Sequence, residues 1–304
     1  MPSLKILTLP KNPYGVTTPL RYPGGKSAIS GFLGSIISQY NQNNNVRIDT
    51  YVEPYAGGAG AAISLLLKGV VNNIVINDYD VAVYSFWESL VKRPHKFLNK
   101  LMNTDIDIFE WHKQRDIYKY HESDSAEDRL NLGFAFFFLN RTNRSGIVKA
   151  GVIGGMDQSG NYKLNARFKP EKLAEKISKI TEFRKNITVT KNDGARIFND
   201  YESDKSAFIY LDPPYVAQGK NLYLNFFNED DHRKIANVVS PSNKANWVMT
   251  YDNEPLITDL YRKNNKYLYN LHYSAQTNRT AQELLICSDS MNEAVLGSTT
   301  QQNL

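Results

Sequence analysis

A single cysteine stands among the 304 residues, so no internal disulfide can form and no thiolate cluster can hold a metal. It is Cys287, inside the apolar run Glu283–Ser288, and its isolation fits a reducing, intracellular setting. Long apolar runs are also missing. Nowhere do the roughly eighteen consecutive apolar residues of a membrane-crossing helix occur. The stretch Met1–Pro10 has neither the apolar core nor the small-residue cleavage site of a secretory signal. A cytoplasmic protein without a membrane segment is therefore expected. One cysteine cannot supply the paired thiolates of a zinc deaminase, and no metal is expected. No repeat of fixed period is visible, which disfavours solenoids and propellers.

What remains is a globular composition, with 41% hydrophobic and 22% charged residues and abundant Tyr and Phe. The length suits one catalytic core carrying one inserted module. A formal charge of +5 and an isoelectric point near 9.0 agree with a polyanionic partner without requiring one.

Residues 46–54 have the β-branched and aromatic character of a strand and run into the glycine-rich turn Ala56–Gly60. Helix formers follow from Ala61 to Lys68, stopped by Gly69, and then a short buried strand at Asn73–Asp78. That is a βαβ unit. From Val81 to Asn140 the pattern is mainly helical, and Leu132–Leu139 reads as a buried helix. Arg141–Phe168 turns basic and rich in Asn, Ser and Gly, as a long loop or hairpin would. Strand patterns resume at 187–190, 207–211, 247–251, 268–273 and 283–288. This predicts an α/β fold with a catalytic domain at 1–84 and 187–290, a helical insert at 85–186, and a flexible tail at 291–304.

Asp212-Pro-Pro-Tyr215 directly follows the buried strand 207–211, at the strand end where open α/β sheets bind ligands. Two prolines stiffen the backbone and remove two N–H donors, so the Asp212 carboxylate and the Pro213 carbonyl can both accept hydrogen bonds from an amino group. Accepting from both hydrogens of an adenine amine would favour pyramidalisation and free its lone pair. Tyr215 would stack on the base, a contact of about 1–3 kcal/mol. The same residues would also serve as a proline-stiffened strand end with a capping Asp.

Glu53-Pro-Tyr-Ala-Gly-Gly-Ala-Gly60 precedes Asp78 by the interval that pairs a nucleotide-binding turn with a ribose-binding acid. Plain βα-loop geometry is the alternative. Gly25-Lys26-Ser27 suggests a phosphate loop, but the required first glycine is Leu20 and no buried strand precedes it. Lys26 reads better as a cation for a carboxylate and Tyr22 as an aromatic surface for a sulfonium, or the segment is an ordinary turn.

In this order, Arg21-Tyr-Pro-Gly-Gly-Lys26, Glu53–Gly60, Asn77-Asp-Tyr-Asp80 and Asp212–Tyr215 resemble the Dam-type adenine-specific DNA methyltransferases over residues 18–288. The resemblance implies a Rossmann-like class I methyltransferase sheet and transfer of a methyl from S-adenosyl-L-methionine to a flipped adenine in duplex DNA. It implies cofactor contacts from Tyr22, Lys26, Glu53, Ala56, Gly57, Gly58, Gly60, Asp78, Asp193 and Asp212. The catalytic residues it implies are Asp212, Pro213 and Tyr215. The insert is similar to that family's target-recognition domain, where Arg141, Asn143, Arg144, Lys149, Lys163, Arg167 and Lys169 divide into base readers and phosphate contacts; a solvated basic loop has the same composition. A restriction endonuclease is an implied functional companion. Methyl transfer to RNA or to a protein glutamine, or a DNA-binding relative without catalysis, would use the same motifs.

Overall fold

The structure, a computed structural model, describes residues 4–10, 12–15, 17–21, 26–122, 124–217, 227–273 and 279–299. Eight strands, β1 (Ile6–Leu7), β2 (Thr50–Glu53), β3 (Asn73–Asn77), β4 (Ile187–Thr190), β5 (Ala207–Leu211), β6 (Trp247–Asp252), β7 (Asn265–Tyr273) and β8 (Arg279–Cys287), form one sheet. The helices are α1 (Ser30–Asn43), α2 (Gly60–Leu67), α3 (Val81–Lys92), α4 (Pro94–Asn103), α5 (Ile108–Lys119), α6 (Ala126–Thr142), α7 (Pro170–Glu182), α8 (Gly194–Tyr201), α9 (Glu229–Val239), α10 (Pro255–Leu260) and α11 (Asn292–Gly297).

The strand order is β1-β7-β8-β6-β5-β2-β3-β4. Strands β2 to β6 are mutually parallel, while β8 runs antiparallel between β6 and β7. The chain winds outward from β2 through β3 to β4, then returns to the opposite side of β2 with β5. Order therefore reverses between β2 and β5, and the crevice at their carboxyl ends is the place where such sheets bind ligands. This is a doubly wound, Rossmann-like sheet.

Helices cover both faces, which is why β5 is buried at all five positions and carries a continuous apolar run rather than an alternating one. Tyr51, Phe208, Tyr210, Val248, Leu285 and Tyr269 face the core shared with α1, α2 and α3. Their neighbours Val52, Ile209, Leu211, Met249 and Leu284 face α8, α9 and α10. The first core continues without a break into the insert through Phe86, Phe97, Phe134 and Phe137. Helix α6 is apolar nearly all round because it is buried nearly all round. At Gly133 it approaches α3 so closely that a Cβ would lie 2.5 Å from the Ser85 carbonyl oxygen.

Between α6 and α7 the chain makes 3-10 turns at Arg144–Gly146 and Leu164–Arg167 and one antiparallel bridge, Asn143 to Val152. It is a long folded loop rather than a regular hairpin. The tail expected from residue 291 begins instead with ordered structure: Met291, Ala294 and Val295 are buried in α11 and the turn before it, against α1. Their i, i+3, i+4 spacing gives one apolar face, which the polar average of the tail conceals.

Candidate active site

The Asp212–Tyr215 turn leaves the end of β5 and is held from three strands. Thr250 on β6 donates its hydroxyl to Asp212 Oδ1 at 3.0 Å, and Tyr210 on β5 shares a 2.7 Å hydrogen bond with that hydroxyl. Asp252, two residues along and on the same face of β6, accepts from the backbone N–H groups of Val216 at 3.2 Å and Ala217 at 2.7 Å. Tyr215 donates its hydroxyl to Glu283 Oε2 on β8 at 2.8 Å.

Lys26 enters from the amino-terminal segment. Its Nζ is 3.0 Å from Asp212 Oδ1 and 4.9 Å from the centre of the Tyr215 ring. Burial by itself would lower the Lys26 pKa, but Asp212 and Glu283 outweigh it and hold the ammonium above its ordinary value. Burial raises Asp212, with Lys26 pulling the other way and Glu283 adding to the rise. Both Lys26 and Thr250 engage Oδ1. Among the described residues nothing donates to Asp212 Oδ2, and the side chain keeps 17% of its surface open.

The glycine turn lies beside this pair. Gly57 and Ala59 have φ of 47° and 44°, a left-handed conformation that costs a non-glycine residue about 1 kcal/mol. Its carbonyls are tied down: Trp87 Nε1 donates to Gly57 O at 2.9 Å, Thr18 Oγ1 to Gly58 O at 2.6 Å, and Asn77 Nδ2 to Pro54 O at 2.8 Å. A Cβ on Gly60 would stand 2.1 Å from Ser27 Oγ and 3.2 Å from Ser27 N, so a larger residue would force Ser27 to turn away where the Lys26 segment meets the start of α2. Asp78 follows β3, accepting from Gly57 N at 2.8 Å and Asp80 N at 2.9 Å, yet desolvation pushes its carboxyl up to about 7. Glu53 accepts from the Tyr51 hydroxyl and Ala62 N through Oε1, while its buried Oε2 has no hydrogen-bond partner among the described residues. Burial pushes Glu53 up to about 8.

These residues fit an adenosyl cofactor. Two carboxyls held near neutrality at the ends of β2 and β3, one with an unpartnered oxygen, are acceptors awaiting donors such as ribose hydroxyls or an ammonium. The glycine turn supplies close backbone approach.

Asp193 is the exposed N-cap of α8, accepting from Ala195 N at 2.8 Å. The glycine after it leaves room for the Tyr55 ring. Tyr22 lies outside the described residues.

In the insert the expected residues separate. Arg144, Lys149, Lys163, Arg167 and Lys169 are exposed, with the Lys163 ammonium donating to Gln158 O. Arg141 is half-buried and braces the loop, donating to Arg167 O and Pro19 O; burial, then Arg21 and Arg167, pushes its pKa down to about 10. Asn143 is fully buried, accepting from Trp111 Nε1 at 2.7 Å and donating to Val148 O at 2.8 Å. Its amide is committed inside the fold, and it is not a surface contact in this conformation.

Sequence reasoning passed over Thr250, Asp252 and Glu283. Glu283 left one trace, a lone acid opening an apolar run.

Residues 22–279 match the family of D12 class N6 adenine-specific DNA methyltransferases. The chain belongs to that family. Among named relatives, the type II methyltransferase M.MjaIII of Methanocaldococcus jannaschii is 26% identical over 232 residues, 71% of this chain and 77% of that one. The type II methyltransferase M.CviBI of Paramecium bursaria Chlorella virus NC1A is 24% identical over 232 residues, 73% and 83% of the two chains. Among solved structures, the rRNA methyltransferase AviRa from Streptomyces viridochromogenes superposes with a TM-score of 0.36 at 8% identity, covering 90% of this chain and 89% of that one. As a family member, this D12 methyltransferase is an adenine-specific DNA methyltransferase. Among its described residues no helix is long and apolar enough to cross a membrane, and no group of His, Cys, Asp and Glu is placed to hold a metal.

Proposed function

We propose that this D12 enzyme uses S-adenosyl-L-methionine as methyl donor and acts on an adenine extruded from duplex DNA into the crevice above Asp212–Tyr215. Asp212 Oδ2, to which nothing donates among the described residues, beside an Oδ1 already engaged by Lys26 and Thr250, is the observation that carries the reading. The cofactor supplies an electrophilic methyl group on a sulfonium. Lys26 holds Asp212 oriented and offers a positive charge near a cofactor carboxylate. Asp212 Oδ2 and the Pro213 carbonyl accept the two amine hydrogens, raising the nucleophilicity of the nitrogen, and the product's proton leaves through Asp212 or water. Tyr215 stacks on the base. Lys26, Glu53, the turn Ala56–Gly60 and Asp78 form the cofactor side, with Asp193 at its margin; the role of Tyr22 there rests on the sequence motif alone.

The helical insert at 85–186 is the recognition module in this reading, with Arg144, Lys149, Lys163 and Arg167 meeting the DNA and Arg141 bracing them. An intracellular enzyme paired with a restriction endonuclease of the same target site fits the type II relatives.

Transfer of labelled methyl from S-adenosyl-L-methionine to unmethylated bacterial DNA, with mapping of the modified positions, tests the whole. N6-methyladenine at a short recurrent site is expected, and its loss in Asp212→Ala with cofactor binding retained. An Asp212→Ala enzyme that methylates at the parental rate would sink the assignment.

A further inference from the structure

The Asp212–Tyr215 turn rests on a polar row that crosses three strands at the end of the sheet. Asp252 on β6 is the register partner of Glu283 on β8, and Glu283 is in turn the partner of Tyr269 on β7. Paired residues in antiparallel strands project to the same face, so the three side chains stand side by side. Asp252 holds the backbone after Tyr215 through two N–H groups. Glu283 Oε2 accepts from the Tyr215 hydroxyl at 2.8 Å and from the Tyr269 hydroxyl at 2.5 Å. Glu283 is only 3% exposed.

A carboxylate in that position needs a reason. Burying it is costly unless hydrogen bonds and a charge partner compensate, and an apolar residue would suit the strand, as Leu284, Leu285 and Ile286 show. The compensation comes from hydroxyl donors and from the buried ammonium of Lys26, whose charge Glu283 supports together with Asp212. Tyr215 is only 4% exposed. Its hydroxyl is fixed by Glu283, and Lys26 lies over its ring. Packing confines the ring, and the Glu283 contact adds a directional restraint on its angle.

We propose that Glu283 is a positioning residue for methyl transfer: with Tyr269 as its own anchor, it fixes the angle of the Tyr215 ring on which the target adenine stacks. This rests on the role given to Tyr215 above. Glu283 touches neither base nor methyl group. Its effect passes through one hydroxyl, and the energetic signature is therefore non-additivity with the loss of that hydroxyl.

The experiment compares the parental enzyme with Glu283→Ala, Glu283→Gln, Tyr215→Phe, Tyr269→Phe and the double variant Glu283→Ala/Tyr215→Phe. Single-turnover methyl transfer to the mapped DNA site is measured, with S-adenosyl-L-methionine affinity titrated separately. Tyr215→Phe and Glu283→Ala are each expected to slow transfer about 10-fold, and the double variant no more than about 3-fold beyond the slower single. Glu283→Gln keeps an acceptor and should recover most of the rate. Tyr269→Phe, which removes a hydroxyl pointing at Glu283, should slow transfer severalfold while cofactor affinity holds. Fluorine NMR of the 3-fluorotyrosine-labelled protein supplies a readout independent of turnover: the Tyr215 signal, assigned by its disappearance in Tyr215→Phe, should shift in Glu283→Gln and in Tyr269→Phe.

Effects that multiply to about 100-fold in the double variant would overturn the proposal. So would parental transfer by both Tyr215→Phe and Tyr269→Phe with an unmoved Tyr215 signal, a result available even if the alanine variant does not fold. A parental enzyme without DNA methylation would instead strike the proposed function, and the fluorine signal would still decide whether Glu283 fixes Tyr215.

Discussion

Asn140 grips the backbone of Arg21 with both ends of its amide. The side-chain oxygen accepts from Arg21 N at 2.8 Å, and the nitrogen donates to Arg21 O at 3.0 Å and to Gly146 O at 2.9 Å. A residue in the last turn of α6, in the insert, thus fixes the segment that delivers Lys26 to Asp212. The packing agrees, since a Cβ on Gly146 would lie 2.1 Å from Arg21 O.

Asn140→Ala should therefore impair both stability and catalysis. Asn140 is 1% exposed, and its removal strands buried backbone groups, for a loss of about 2–4 kcal/mol. Denaturant unfolding should show the loss, and methyl transfer should fall by more than the unfolded fraction explains. Asn140→Asp should resemble Asn140→Ala, because a carboxylate cannot donate to the two carbonyls. Equal activity per folded molecule in parent and variant would break the link between insert and site.

Strand β5 was legible in the sequence because it is buried throughout and carries an unbroken apolar run, and the partly exposed β4 because all four of its residues are β-branched; their limits coincide with the pattern at 207–211 and 187–190. Helices α1, α8 and α9 were not singled out, since α8 and α9 mix charges with apolar positions at helical spacing. Lys26 and Asp212 each stood out within a motif, but their ion pair was not foreseen, because it depends on the topology that brings the amino-terminal segment to the end of β5. Asp252 and Glu283 acquire their roles only through the β6–β8–β7 register, a long-range pairing that no local pattern encodes. Asn143 shows the converse. A polar residue in a basic segment reads as a surface contact, and only the position of Trp111 reveals that it is buried.

Asn143 and its neighbours should separate cleanly under mutation. Arg144→Ala and Lys149→Ala should leave the melting temperature unchanged and weaken DNA binding, each reducing the logarithmic salt slope by about 1 if it meets a phosphate. Asn143→Ala should lower the melting temperature instead, because Trp111 Nε1 loses its buried acceptor. Normal stability in Asn143→Ala combined with altered target preference would return Asn143 to the DNA interface.

Glu53 gives the stability a specific pH dependence. Its carboxyl has an ordinary value of 4.5 and is pushed up to about 8 by burial, so between those values the folded protein binds more protons than the unfolded chain. Stability contributed by the neutral form is complete at low pH and falls as pH rises through that window. Glu53→Gln removes the ionisation while keeping an acceptor for Tyr51 and Ala62 N. Across unfolding curves from pH 5 to 8, the difference between variant and parent should move in the variant's favour as pH rises. A constant difference would show that Glu53 ionises freely in the folded state.

Asp78 carries the same sign into ligand binding. Its carboxyl is raised from 3.8 to about 7, desolvation outweighing the hydrogen bonds from Asp80 and Gly57. Ribose hydroxyls donated to it would favour the ionised form, so S-adenosyl-L-methionine should bind more tightly as pH rises through about 7 and release a proton when binding below that value. Calorimetric titrations in buffers of different ionisation enthalpy count that proton directly. Asp78→Asn should bind more weakly and lose the pH dependence together with the proton release. If the parental affinity is flat from pH 6 to 8 and no proton is released, Asp78 does not accept from the cofactor. The ribose would then have to find its acceptor elsewhere, and Glu53, whose Oε2 has no hydrogen-bond partner among the described residues, becomes the residue to substitute next.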